Sequence, residues 1–209
     1  MDTDFTEVPE ELMKKVPVEA WREFVLWEVE ESELFKGKLV RWLYRNYDEP
    51  EATEQTFVDR VQLLFYYCLD ESSIHLRLTC DETPLLCWSM VGEEMEALVE
   101  VMRRLPKKGR AKVVKAAVIE FFLKVTEYAD FEFMYYDYTM LKPAFDACAD
   151  VLVDWIALSE VSPDDRRDLL MREMPYVCSR YLYSKKKIYD MEALKTRLIT
   201  AAGLSAERS

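Results

Sequence analysis

The sequence has few glycines and a single histidine, and each shortage excludes a class of function. Its 209 residues include four glycines, which lie far apart at positions 37, 92, 109 and 203. Phosphate-binding loops need clustered glycines so that backbone amides can approach the ligand, so no P-loop, dinucleotide fingerprint or kinase motif is present. The lone His75 has no nucleophile elbow beside it and cannot supply the two histidines of a di-iron helical bundle. We therefore expect no bound cofactor and none of the common catalytic scaffolds.

Positive charge, paired cysteines and long apolar runs are also scarce. The 40 acidic side chains outnumber the 28 basic ones and give a net charge of −12, a field that repels phosphate backbones. The most apolar segment, residues 113–125, carries three charged side chains and is too short to span a bilayer. Residues 1–20 contain no apolar run of the kind found in secretory signals, and the five cysteines form no C-x-x-C pair. The sequence thus predicts a cytoplasmic protein that binds neither membranes nor, in general, nucleic acid.

Apolar residues recur at helical spacing along most of the chain, which predicts an all-α protein. In "VPVEAWREFVLWEVEE" the spacing places Trp21, Phe24 and Val25 on one core-facing stripe, which Leu26 and Val29 extend. Further helices are predicted over residues 32–47, 53–69, 93–104, 110–128, 138–156 and 191–202. Between the last two, Ser162 is a predicted helix N-cap and Pro175 a predicted helix break.

A weak internal similarity suggests how these helices are arranged. The segment that starts at Leu105 aligns with the segment that starts at Val161, and the one that starts at Val16 fits the same frame. We therefore predict stacked antiparallel helical hairpins, as a short HEAT-like solenoid or an irregular helical bundle. One domain is predicted over residues 9–203, between a disordered acidic start at 1–8 and a frayed tail at 204–209.

Residues 70–92 are predicted to be irregular and contain the best candidate metal ligands. The run "IHLRLTC" alternates like a strand and could pair with "FEFMYY" in a minor two-stranded element. Cys68, His75, Cys80 and Cys87 are the right donors for a structural zinc ion. Their spacing lacks the short two-residue knuckle typical of zinc sites, and the alternative is that the cysteines are buried hydrophobes. We expect no metal.

Two basic clusters run against the overall acidity. The first covers residues 103–115, and the second, residues 179–189, interleaves tyrosines with Arg180, Lys185, Lys186 and Lys187. Stacking tyrosines beside cationic side chains would suit single-stranded nucleic acid, whereas a solvated loop between helices explains the same composition. The strong negative charge of the chain favours the solvated loop.

The segment "EYADFEFMYYDYTM", residues 127–140, is the strongest candidate for a binding surface. Tyrosines provide large contact areas at low entropic cost, and neighbouring carboxylates would select a basic partner. The predicted docking residues are Tyr128, Asp130, Glu132, Tyr136, Asp137 and Tyr138. Phe131, Phe133 and Tyr135 are predicted to point inward instead, because alternate side chains of an extended segment face opposite sides. A purely structural connector and a small-ligand site are the alternatives.

Together these features predict a non-catalytic interaction module. It would act as an adaptor or as an acidic inhibitor and bind a basic or amphipathic macromolecule through an aromatic–acidic surface. The alternative is an enzyme that uses paired carboxylates in a cleft between helices.

Overall fold

The computed structural model describes residues 14–32, 35, 39, 42–43, 52–69, 83–129, 138–183 and 189–203. Side chains are described at these positions except 67–69, 83–87, 129, 138–139 and 183. The chain divides into two compact units, Met1–Tyr47 and Asp48–Ser209. The predicted disordered start and frayed tail lie outside the described residues, and the single domain over residues 9–203 stays a prediction.

The all-α prediction is confirmed, since the described residues form helices and contain no strand. Both segments of the predicted two-stranded element, residues 74–80 and 131–136, lie outside the described part. The helices are α1 Val18–Glu31, α2 Glu54–Leu69, α3 Thr83–Arg104, α4 Lys107–Ala129, a 3₁₀ turn Tyr138–Leu141, α5 Lys142–Ile156, α6 Pro163–Asp168, a π-helical segment Leu169–Glu173, α7 Met174–Tyr183 and α8 Met191–Ala201.

The first unit contains α1, whose two ends match the sequence signals. The helix begins after Pro17, and Glu19 lies in its first turn, where the helix dipole favours a carboxylate. Ser32 ends it in an extended conformation, and the Ser32 Oγ accepts a 3.2 Å hydrogen bond from the Phe35 amide. Ser32 therefore acts as the predicted cap of the following helix.

The predicted core-facing stripe of α1 is wrong. No residue of α1 is buried, and Phe24 and Leu26 are exposed, whereas Trp21, Val25 and Val29 are half-buried. The reason is that helical spacing tells which residues share a side of a helix but not whether anything covers that side.

The second unit is built around α4 and α5. Helix α4 packs against α2, α5 and α7, and α5 packs also against α3 and α8. Both helices bury apolar residues over a broad part of their circumference, as expected for central helices. These residues are Val113, Val114, Ala117, Val118, Phe121, Phe122 and Val125 on α4 and Ala144, Phe145, Cys148, Ala149, Val151, Leu152, Trp155 and Ile156 on α5.

Two side-chain hydrogen bonds link neighbouring helices to α4. The Trp155 indole on α5 donates to the Ala111 carbonyl at 2.9 Å, and the Tyr181 hydroxyl on α7 donates to the Phe122 carbonyl at 3.0 Å. Each bond satisfies a polar group that would otherwise be buried without a partner. The same two side chains add ring surface to the core.

The predicted stacked-hairpin arrangement is not confirmed. Helices α3 and α4 follow each other in the chain, yet α3 makes more contacts with α2 and α5 than with α4. The three aligned segments do share a helix start, because α1, α4 and α6 begin at the equivalent positions Val18, Lys107 and Pro163. That agreement is what a common capping turn produces without any repeat of tertiary structure.

Two helix boundaries correct the sequence predictions. Helix α3 begins at Thr83 rather than at residue 93, because Pro84 suits a first helical turn and buried Trp88 continues the helical spacing. Pro175 does not break the helix that starts at Pro163. Instead, the Met174 amide bonds to the Leu169 carbonyl five residues back, and this π-helical turn accommodates the proline.

Candidate functional site

The predicted docking segment, residues 127–140, is described at its ends. Tyr128 is half-buried and stacks on Phe65, with ring centroids 5.4 Å apart and planes inclined by 25°. It is therefore part of the core packing rather than an exposed anchor, because its α4 position turns it towards α2. The other predicted docking residues, Asp130, Glu132, Tyr136 and Asp137, lie outside the described residues, as do the predicted inward residues Phe131, Phe133 and Tyr135. Tyr138 begins the 3₁₀ turn, which confirms a helix start there, but its side chain is not described.

The candidate zinc ligands lie on two helices and in the segment between them. Cys68 lies at the end of α2 and Cys87 in the second turn of α3, so Cys87 is helical and not in an irregular segment as predicted. His75 and Cys80 fall outside the described residues. Among the residues that the structure describes, no group of three histidine, cysteine or acidic side chains is arranged to hold a metal ion.

In its described part, the second basic cluster offers few aromatic rings on which a base could stack. Arg180 is exposed on α7, whereas Lys185, Lys186 and Lys187 lie outside the described residues. Tyr181 is buried, and Tyr189 stacks on Phe145 at 4.8 Å and donates a 3.0 Å hydrogen bond to Asp146. Burial and this hydrogen bond raise the pKa of Tyr189 to about 12. Neither ring is available to stack on a base.

One carboxylate cluster fits the enzyme alternative best. The Lys115 ammonium on α4 lies 3.3 Å from Glu173, 3.7 Å from Asp168 and 4.0 Å from Asp165. Burial raises the pKa of Glu173, and the nearby Lys115 opposes that shift. The Lys115 ammonium and the three carboxylates form an ion-pair network that links α4 to α6 and to the π-helical segment. Glu173 alone resembles a tuned acid or base.

Two exposed aromatic side chains lie next to each other on α1. Phe24 and Trp27 are 46% and 55% exposed, and their ring centroids are 6.1 Å apart. Half-buried Trp21 meets Phe24 edge-on, also at 6.1 Å, and so supports the exposed pair from behind. Two large rings held side by side on a helix are typical of an interface anchor rather than of a solvated face.

Acidic side chains surround this aromatic pair. Helical spacing places Glu23, Glu30 and Glu31 on the same side of α1 as Phe24 and Trp27, and all three glutamates are exposed. The helix carries five glutamates against the single Arg22, which projects towards the opposite side. We call Glu23, Phe24, Trp27, Glu30 and Glu31 the α1 face. The α1 face thus combines two exposed aromatic rings with three exposed carboxylates.

The sequence predicts an aromatic–acidic surface at residues 127–140 and not on α1. It predicts Trp21 and Phe24 on one core-facing stripe and makes no prediction for Trp27. The signal was present, because Phe24 and Trp27 lie on a different side of the helix from the Trp21–Val25–Val29 stripe when 3.6 residues per turn are counted. Five glutamates among the 14 residues of α1 also mark a helix with too little apolar circumference to enter a core.

No family model matches the sequence, and comparisons with curated proteins and with solved structures gave no match either. In the part of the chain that the structure describes, none of the helices combines the length and apolarity needed to cross a bilayer.

Proposed function

We propose that this protein is a non-catalytic interaction module that docks a basic, amphipathic segment of another protein on the α1 face. The observation that carries the proposal is the pair of exposed rings, Phe24 and Trp27, on a helix in which no residue is buried. Exposed aromatic side chains grouped in this way are the residue types that dominate binding energy at interfaces.

The charge of the α1 face supports a basic partner over a neutral one. Glu23, Glu30 and Glu31 border the rings, and the sequence as a whole carries a net charge of −12. Such a field accelerates encounter with cationic segments and disfavours acidic ones. An amphipathic helix with lysine or arginine beside an apolar stripe would satisfy the rings and the carboxylates together.

Two biological forms of this activity are consistent with the surface. As an adaptor, the protein would hold a partner by its basic segment, and as an acidic inhibitor it would cover a basic groove that otherwise binds nucleic acid. We place it in the cytoplasm. The two cysteines with described side chains, Cys148 and Cys178, are free buried thiols, which is usual in a reducing compartment.

A direct test measures the fluorescence anisotropy of a short labelled peptide with leucines at helical spacing and lysines elsewhere. The unaltered protein should bind it, and Trp27→Ala should weaken binding about thirtyfold, the ~2 kcal/mol typical of a hot-spot residue. Val18→Ala is the matched control, because Val18 is 78% exposed and helical spacing places it on the opposite side of α1 from Trp27. Its affinity should stay within about twofold of the unaltered protein.

Salt separates this mechanism from simple hydrophobic adhesion. Raising the salt from low to moderate concentration should weaken the lysine peptide about tenfold, because the carboxylates of the α1 face are exposed and therefore screened. Equal affinity of Trp27→Ala and Val18→Ala for the peptide would rule out the α1 face as the docking site.

The enzyme alternative depends on one observation, the raised pKa of Glu173. If Glu173 were a catalytic acid or base, a screen of hydrolysable substrates should reveal an activity that Glu173→Gln abolishes while the lysine peptide still binds. A structural role predicts no such activity.

A further inference from the structure

The first basic cluster of the sequence forms an exposed cationic corner where α3 ends and α4 begins. Arg104 is the last residue of α3, Lys107 and Lys108 are the first two of α4, and Lys112 follows one turn after Lys108. All four side chains are exposed. We call these four residues the α4 corner.

The chain keeps the four cations close together. Only Leu105 and Pro106 separate the two helices, and the Arg110 amide donates a 2.9 Å hydrogen bond to the Pro106 carbonyl, so α4 starts directly after this turn. Lys108 and Lys112 are four residues apart and therefore lie on one side of α4. The backbone from residue 104 to residue 112 spans at most about 18 Å.

None of these four cations pairs with a carboxylate in the part of the chain that the structure describes. The sequence has no acidic residue from position 101 to position 119. Arg103, next to the corner, lies 2.5 Å from Glu100, and Lys115, farther along α4, contacts the three carboxylates of α6 and the π-helical segment. The nearby acidic side chains on these two sides thus have other partners.

One exposed carboxylate borders the corner without pairing with it. The hydrogen bond from Ser159 lowers the pKa of Glu160, and the charges of Lys107 and Arg110 lower it further. Arg110 is half-buried behind the exposed lysines, and its Nε makes no hydrogen bond within the described residues. Positive charge therefore exceeds negative charge around the start of α4.

This excess of positive charge is unfavourable for the free protein. The N-terminus of a helix carries a partial positive charge, so cations in the first turn lower stability and carboxylates there raise it. The first turn of α4 contains Lys107 and Lys108 and no acidic residue. Lys108 and Lys112 also repel each other, as like charges one turn apart do. A central helix that begins against these local rules is typical of a functional surface.

We propose that the α4 corner binds a short acidic segment of another protein. Its carboxylates would neutralise the lysines at the start of α4 and relieve their repulsion. Five or six extended residues match the span of the corner. Salt at physiological concentration screens charges beyond about 8 Å, so the corner, and not the net charge of −12, determines what binds in contact with it.

A short acidic segment fits the corner better than nucleic acid or an amphipathic helix does. The sequence has no aromatic residue between Trp88 and Phe121, so these positions offer no ring on which a base could stack. A nucleic-acid duplex would also extend its phosphates beyond the corner, over a protein with 40 acidic and 28 basic side chains. Leu105 packs against the core, which leaves no large apolar side chain of the turn for an amphipathic partner.

The test measures the fluorescence anisotropy of a labelled peptide of six glutamates with the full chain. The double variant Lys108→Gln/Lys112→Gln should weaken binding about tenfold, because two exposed ion pairs are lost. Lys142→Gln/Lys195→Gln is the matched control. It removes the same charge from two other helices, where each lysine already pairs with a carboxylate, and its affinity should stay within about twofold of the unaltered protein.

A second measurement distinguishes a binding role of Lys108 from a structural one. Lys108→Gln should raise the melting temperature by about 2 °C, because it removes a cation from the N-terminus of α4. Lys142→Gln should not raise it, because Lys142 begins α5 but pairs with Asp146 at 2.5 Å. A lower melting temperature for Lys108→Gln would show that this lysine stabilises the fold and would contradict the proposal.

The proposal is independent of the α1 face, which selects a partner of the opposite charge. Trp27→Ala should lose the lysine peptide and keep the glutamate peptide, whereas Lys108→Gln/Lys112→Gln should do the reverse. If the glutamate peptide binds equally to this double variant and to the unaltered protein, or binds neither, the proposal for the α4 corner fails and the α1 proposal stands. Loss of the lysine-peptide result alone would remove the α1 face and leave the α4 corner.

Three further outcomes would replace the acidic segment by another occupant. A DNA duplex that binds more tightly than the glutamate peptide, and is lost in the double variant, would identify nucleic acid. Anionic phospholipid vesicles that do so would identify a membrane surface. A concentration-dependent mass of the protein alone in analytical ultracentrifugation, abolished by Lys108→Gln/Lys112→Gln, would identify a second copy of this acidic chain. Each of these results overturns the proposal.

Discussion

Replacing Phe145 with leucine tests whether aromatic contacts, beyond simple burial, hold the second unit together. Phe145 is fully buried on α5, and four rings surround it: Phe121 at 5.4 Å, Phe122 at 5.5 Å, Tyr181 at 6.2 Å and Tyr189 at 4.8 Å. These partners belong to α4, to α7 and to the segment before α8. Leucine keeps most of the apolar volume but removes all four ring contacts.

The expected loss of unfolding free energy is the sum of a shape term and an aromatic-contact term. A shape-changing hydrophobic replacement costs about 1 kcal/mol by itself, and each aromatic pair adds about 0.5 kcal/mol at the low end of its range. Four pairs and the shape term give about 3 kcal/mol. In a protein of this length that loss lowers the melting temperature by roughly 6 to 12 °C.

Phe57→Leu provides the matched control. Phe57 is also fully buried, and the described part of the structure shows no ring contact for it. It should therefore cost about 1 kcal/mol, the shape term alone. Urea unfolding followed by circular dichroism at 222 nm gives both free energies of unfolding. Equal losses for the two variants would refute the reasoning, because they would show that the ring contacts of Phe145 add nothing to burial.

Three further predictions concern other parts of the second unit. Glu173→Gln tests how protonation of Glu173 is linked to stability. Burial raises the pKa of Glu173 above its ordinary 4.5 in the folded protein. The protonated side chain therefore contributes its full stabilisation below pH 4.5, and this contribution is lost as the pH rises through the pKa of the folded state. The free energy of unfolding of the unaltered protein minus that of Glu173→Gln should therefore fall with rising pH in that window, and a difference that rises would contradict the assignment. Ser162→Ala should cost about 1 kcal/mol of unfolding free energy, because Ser162 Oγ accepts the Asp165 amide at 3.1 Å, whereas Ser159→Ala in the preceding turn should cost less than half of that. Gly203→Ala should cost about 1 kcal/mol in the same urea assay, since Gly203 has φ +70° at the end of α8, and an unchanged midpoint would show that this helix end is not constrained.

The helices themselves could be predicted from the sequence because their signals are local. Apolar spacing and capping residues depend on neighbours a few positions away, so α4, α5 and α8 agree with prediction to within a few residues. Ser162 caps α6 as predicted, with Pro163 in the first turn. Phe57, Val61 and Phe65 of α2 are buried as their spacing indicates.

The sequence did not predict which helix surfaces contact each other. Tyr128 looks like a surface tyrosine among carboxylates. However, it lies seven residues after Phe121 and thus on the same side of α4, so that both rings contact Phe65. Trp27 looks like a core residue, but nothing in a helical period states whether a partner covers that side. Tertiary contacts decide both cases, and they join residues far apart in the chain.

The π-helical turn is a second feature that local rules miss. Pro175 predicts a break because it lacks an amide and crowds the carbonyl four residues earlier. Met174 and Val177, on either side of this proline, are nevertheless both buried, and the helix continues between them. The π-helical turn, in which the backbone hydrogen bond spans five residues instead of four, accommodates the proline while the helix continues.

Hydrogen exchange measured by mass spectrometry, with and without the lysine–leucine peptide, tests the docking function of the α1 face most directly. Helix α1 has no buried residue, so its amides should exchange rapidly in the free protein. With saturating peptide, fragments covering residues 18–31 should become protected, and fragments of α4 and α5 should not change. Protection confined to any other part of the chain, with residues 18–31 unchanged, would contradict the account.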